Sequence, residues 1–142
     1  MHISVLTRAH RILNGIPRYR KLLTDAQDAP NWLKEQSLLP NEVLIGVFEN
    51  IPGQSNSTIV VTSHRLGVCR HACMDWVAYD SIGQVKGVDN KQASELKVTT
   101  NDGREFILPI VPDNKKFNDV FEWMRFIERV LEDRRKLHGA DP

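Results

Sequence analysis

Four side chains of the metal-binding type lie close together in the chain, His64, Cys69, His71 and Cys73. Zinc takes such ligands when four converge on one tetrahedron. Two cysteines separated by three residues, with a histidine between them, match no common zinc signature. The expectation is therefore free thiols, buried or half-buried, and no metal or other cofactor. Ser63 beside His64 sets a nucleophile next to a base, and covalent catalysis needs that pair within hydrogen-bond reach. If both sit on a strand, adjacent side chains point to opposite faces. No Gly-x-Ser-x-Gly elbow, phosphate-binding loop or His-Glu-x-x-His occurs in the sequence. Asp80, Asp89 and Asp102 fall at the ends of strand-like runs, where aspartate serves turns. These residues point away from an enzyme.

Charge gives a second lead. The chain of 142 residues carries 19 Lys and Arg against 18 Asp and Glu, a formal net charge of +1. That balance gives no global attraction to nucleic acid. Residues 1–21 nevertheless hold Arg8, Arg11, Arg18, Arg20 and Lys21 and no acid, and the rest of the chain sums to −4. A basic arm on a mildly acidic body is either a solvated helix face or a contact for an anionic partner. Leu6, Ala9, Leu13 and Ile16 recur in this segment at helical spacing, and Gly15 and Pro17 then interrupt it. A helix so short is not stable alone, so it must dock on the fold, on a second copy or on an anionic surface.

The elements that would hold these residues form three zones. Residues 1–37 read as a helical N-terminal extension. Tyr19 to Leu23 resumes as a short helical turn, and Asp28-Ala29-Pro30 starts a further helix that stops before Pro40. From 38 onward the chain turns strand-like. Seven β runs follow, at 42–49, 58–62, 66–70, 75–79, 82–88, 95–100 and 105–111. The run at 95–100 alternates Leu96, Val98 and Thr100 with Lys97 and Thr99. Asn101-Asp102-Gly103 is a hairpin turn, because Asp-Gly tolerates positive φ. In the last zone Phe117, Val120, Phe121, Met124, Ile127 and Leu131 form the apolar stripe of one long helix. Trp123 and Phe126 lie on its flank, where they either widen the buried face or anchor a partner. Glu132 and Lys136, four apart, mark its solvated side. Such a helix must bury its stripe on the β unit. With no secretory signal at the N-terminus and no apolar run near 20 residues, a cytoplasmic setting with reduced thiols is expected.

The run "STIVVTSHRLGVCR" (57–70) resembles the strand–Thr–x–x–Arg–Leu–strand hairpin of bacterial pleckstrin-homology-like and GRAM-like domains. "DWVAYDSIGQVKG" is similar to their next strands, and "ELKVTTNDGREFILPI" to their last hairpin. The resemblance covers roughly 38–137. It implies a mainly β, α+β fold: a seven-stranded antiparallel barrel capped by a long C-terminal helix over 38–138, with 1–37 outside it. It also implies a non-catalytic binding or scaffolding module, with a protein partner or a second copy as ligand. The lipid-binding members of that family carry basic residues around the loop between the first two strands. Glu49 to Ser57 holds none. Peripheral binding to anionic lipid would then fall to the N-terminal segment. The candidate contact residues are Trp123, Phe126, Arg8, Arg11, Arg18, Arg20 and Lys21.

Overall fold

The computed structural model describes residues 4–16, 18–22, 31–34, 36, 38–51, 54–86, 95–111 and 119–138. Helix α1 (Val5–Ile12) is followed by strand β1 (Tyr19–Lys21) and a single helical turn, α2 (Asn31–Lys34). Strands β2 (Leu44–Glu49), β3 (Thr58–Thr62), β4 (Arg65–Arg70) and β5 (Cys73–Ala78) come next. A 3-10 turn (Tyr79–Ser81) leads to β6 (Ile82–Val85), β7 (Glu95–Thr100), β8 (Glu105–Pro109) and the long helix α3 (Asp119–His138). Both Phe117 and the predicted helix start at Asp28 fall outside the described residues.

The fold is α+β, with two antiparallel meanders, β1 to β5 and β6 to β8. Register explains how the larger sheet divides its side chains. Tyr19, Phe48, Ile59 and Val68 stand in one cross-strand row facing the core. The neighbouring row, Val47, Val60, Gly67 and Trp76, faces the other way. A bulge between Leu44 and Gly46 shifts the pairing there. It lets Ile45 join the core while Leu44 packs on the outer face. Leu33 of α2 covers that outer face together with Leu22, Val47 and Val60. Across β7 the burial alternates as the sequence predicts, and Gly103 turns the β7–β8 hairpin at φ +89°.

Three expectations are corrected. Among the described residues the strands do not close into one seven-stranded barrel, since eight strands lie in two separate sheets. Side chains bridge the seam instead. Asn50 Nδ2 donates to the carbonyls of Ser57 and Pro109, its Oδ1 accepts from Val111 N–H at 2.7 Å, and the Arg70 guanidinium donates to the carbonyl of Ile107. Tyr19 to Lys21 is not a helical turn. It pairs with Phe48 to Gly46 as an edge strand, because Tyr19 finds a buried site over Gly46 and the strand register then follows. The apolar face of the first helix also differs from its predicted set. Ala9, Leu13 and Ile16 are buried with Val5 and Ile12, while Leu6 stays 43% exposed.

The same core holds residues from α1, β1, both sheets and α3. Helix α3 buries Val120, Trp123, Phe126, Ile127, Val130 and Leu131, and Met124 and Phe121 are only half-buried. The buried arc is therefore rotated toward Trp123 and Phe126 relative to the predicted stripe. Trp123 meets Tyr19, Phe48 and Phe126 edge-on, with ring centroids 6.4, 5.5 and 5.9 Å apart. Such offset aromatic pairs are favoured by the ring quadrupole. Among the described residues no helix is long and apolar enough to cross a membrane.

Candidate partner-binding groove

The predicted contact residues scatter. Trp123 and Phe126 are fully buried, so a partner cannot reach either ring without opening the core. Of the two roles open to the flank of the stripe, the wide buried face is the one their burial shows. Arg8 makes two hydrogen bonds to Asp133 of α3, Nε to Oδ2 at 2.7 Å and Nη2 to Oδ1 at 2.9 Å. This ion pair ties α1 to α3 and removes Arg8 from the free basic surface. Arg18 donates to the carbonyl of Val111 at 3.0 Å. Arg11, Arg20 and Lys21 remain exposed. His10 lies near Lys21, and burial first, then that ammonium, holds its imidazole below the ordinary histidine value. Among the described residues the segment thus presents three cations without an internal partner rather than five.

The residues of possible chemical use are equally separated. Ser63 and His64 lie in the bend after β3, not on a strand, and Ser63 Oγ is 2.8 Å from His64 Nδ1. The expected separation fails because the bend releases both side chains from strand alternation. Among the described residues, no carboxylate holds the other ring nitrogen, and Ser63 Oγ also accepts the Val43 N–H at 2.9 Å. The pair fastens the start of β2 to the bend. Cys69 is buried on β4, and Cys73 is exposed across the hairpin tip. Among the described residues no three His, Cys, Asp or Glu side chains converge as metal ligands.

A buried polar hub lies beside this bend. Glu42 accepts from Leu39 N–H at 2.8 Å, from Thr62 Oγ1 at 2.5 Å, and from Arg65 Nε and Nη2 at 2.9 and 3.1 Å. The Arg65 guanidinium lies over the Trp76 ring, 4.1 Å from its centroid. Burial alone pushes the Glu42 carboxyl up. The donors of Arg65, Thr62 and Leu39 outweigh it and hold the carboxyl below the ordinary glutamate value. Tyr79 donates its hydroxyl to the carbonyl of Thr62 at 2.8 Å, which carries the hub on to the turn before β6. The Arg65-Leu66 step singled out in the sequence is therefore the point where the hub is fastened to the sheet.

That turn opens on a groove. Helix α3 runs beside β6, an edge strand of its sheet. Between them lie two adjoining cavities of about 540 and 560 Å³, which share Gly83, Leu131 and Arg135 as lining residues. Ile82 and Leu131 form an apolar floor, each 6% exposed. Gly83 and Gln84 are exposed on the strand side. On the helix side stand Arg125, Glu128, Arg129, Glu132 and Arg135, which share one face by their spacing of three and four residues. Arg134 donates Nε to Asp80 Oδ1 at 2.9 Å, holding the helix to the turn at one end of the groove. None of the groove-side charges was among the predicted contacts. Their periodicity on the solvated face of α3 was visible, but the strand edge opposite them was not.

Comparisons with protein-family models, with curated proteins and with solved structures return no match for this chain.

Proposed function

We propose that the chain is a non-catalytic binding module that takes an extended segment of a protein partner in the groove between β6 and α3. One observation carries the reading. An edge strand, whose outer backbone groups have no sheet partner among the described residues, lies along an open groove with an apolar floor and a charged helix wall. Edge strands accept a further strand by main-chain hydrogen bonding, and a neighbouring groove adds side-chain specificity. A segment of a second copy would use the same chemistry.

The order of elements supports a pleckstrin-homology-like reading of the frame. Four strands in a meander, three more in a second meander and a closing helix follow one another as that resemblance implies, with β1 as an added edge. The lipid alternative has less behind it. Arg8 and Arg18 are engaged within the fold, and the three remaining cations contribute about 1 kcal/mol each at an anionic surface, less with salt.

The test is peptide selection followed by mapping. Peptides of about twelve residues are selected from a displayed random library on the full chain, then titrated into the isotope-labelled protein. The expected result is a shift of the amide signals of residues 82–85 and of the α3 wall. Gln84→Trp, at an exposed position lining the groove, should weaken binding at least ten-fold with an unchanged melting temperature. Shifts confined to another surface would refute the groove. Sedimentation with anionic vesicles at physiological salt, expected to leave the protein in solution, checks the lipid alternative.

A further inference from the structure

Most charges along the groove are already paired. Arg134 is held by Asp80, Arg125 lies 3.6 Å from Glu122, and Glu132 stands between Arg129 and Lys136 at 3.9 and 3.7 Å. Two groups differ. The guanidinium of Arg135 lines both halves of the groove, and the carboxylate of Glu128 lines the half beside Val85. Both residues are exposed, and neither makes an ion pair or hydrogen bond among the described residues. Seven residues separate them, two helical turns, so they stand about 10 Å apart along the helix axis.

We infer, on the groove reading above, that the occupant is an extended peptide of matching polarity, with an acidic side chain against Arg135 and a basic side chain against Glu128. An extended chain advances about 3.4 Å per residue and sends alternate side chains to one face. The two complementary residues are therefore two to four positions apart. Because the free charges are opposite in sign and fixed on a rigid helix, they select one direction for the bound strand. Charge complementarity of this kind sets register and orientation more than raw affinity. A membrane surface or a nucleic acid backbone presents one sign only and would meet Glu128 unfavourably. A peptide carrying both signs satisfies both ends.

The experiment repeats the library selection on three full-length proteins: the unaltered chain, Arg135→Glu, and the double variant Glu128→Lys with Arg135→Glu. The altered side chains are exposed and unpaired, so all three should melt at the same temperature. Peptides selected by the unaltered chain should share an acid and a base at constant spacing. Those peptides should bind Arg135→Glu more weakly, on the order of five-fold at low salt, the scale of one exposed ion pair. The double variant should select the reverse order of charges. Selected peptides that shift the Gly83 and Gln84 amides, lack a common charge pair and ignore Arg135→Glu would overturn the polarity and leave the groove standing. Peptides that shift no groove amide, or a failure to select any, would overturn both.

Discussion

Removing Arg65 should unfold the region around Glu42 more effectively than any surface change. The Glu42 side chain has no solvent exposure, and two of its four hydrogen bonds come from Arg65. In Arg65→Met the carboxylate keeps, among the described residues, Thr62 and Leu39 as donors. Breaking a buried ion pair by deleting one partner costs about 3–5 kcal/mol, because a charge is left in a poor solvent. Loss of the Trp76 stack adds about 0.5–2 kcal/mol. A domain holds about 5–15 kcal/mol in all, so the variant should be marginal. The pH dependence gives the sharper test. In the unaltered protein the Glu42 carboxyl sits below its ordinary value. Its contribution is present above the unfolded value, about 4.3, and is lost as pH falls through the folded one. Without Arg65 the carboxylate loses its largest lowering partner while burial still pushes it up, so the carboxyl rises from its folded position in the unaltered protein and the charge contributes less. The difference between the two proteins should be largest at pH 7 and shrink as pH falls below about 4. Urea titrations across that range measure it. A loss under about 1 kcal/mol at pH 7, or a gap independent of pH, would place this pair with exposed salt bridges and refute the reasoning.

Other consequences follow from backbone and packing. Ala72 sits at the β4–β5 tip with φ +66°, a region that costs a residue with a Cβ about 1–2 kcal/mol. Ala72→Gly should stabilise the chain by about 1 kcal/mol in urea titration. A Cβ on Gly46 would stand 2.1 Å from the Tyr19 hydroxyl, so Gly46→Ala should destabilise by about 1–3 kcal/mol as Tyr19 is displaced. Leu13→Ala should cost about 2–5 kcal/mol, since the side chain is fully buried, whereas Leu6→Ser should stay within about 0.5 kcal/mol. Equal losses for the two would show that the first helix does not sit as described.

The strands were legible because their signals are local. Alternation at Leu96, Val98 and Thr100 and the Asp102-Gly103 turn each act over a few residues, and both appear where the sequence places them. Tyr19 to Lys21 was missed for the opposite reason. Three residues carry no period, and what makes them a strand is a partner at 46–48 and a glycine whose missing side chain admits the Tyr19 ring. The helix stripe was found but turned. Counting apolar residues favours Met124, while packing edge-on against Tyr19 and Phe48 of the larger sheet favours Trp123, which is fully buried.

The charged residues show where such reading fails in principle. A tally over residues 1–21 sees five cations and no acid, yet Arg8 meets its carboxylate at Asp133, 125 positions away. No window on the sequence contains that pair. The Arg65–Glu42 pair, 23 positions apart, is hidden in the same way. Free charge is what remains after folding has assigned partners, so a functional surface is a difference between two lists, only one of which is in the sequence. Applied to this chain, the subtraction removes Arg8 and Arg18 from the basic arm. On the opposite side of the ledger it leaves Arg135 and Glu128 beside the β6 edge, which neither composition nor clustering singles out. Those two, rather than the more numerous arginines near the N-terminus, are the charges with both an open position and a built surface next to them.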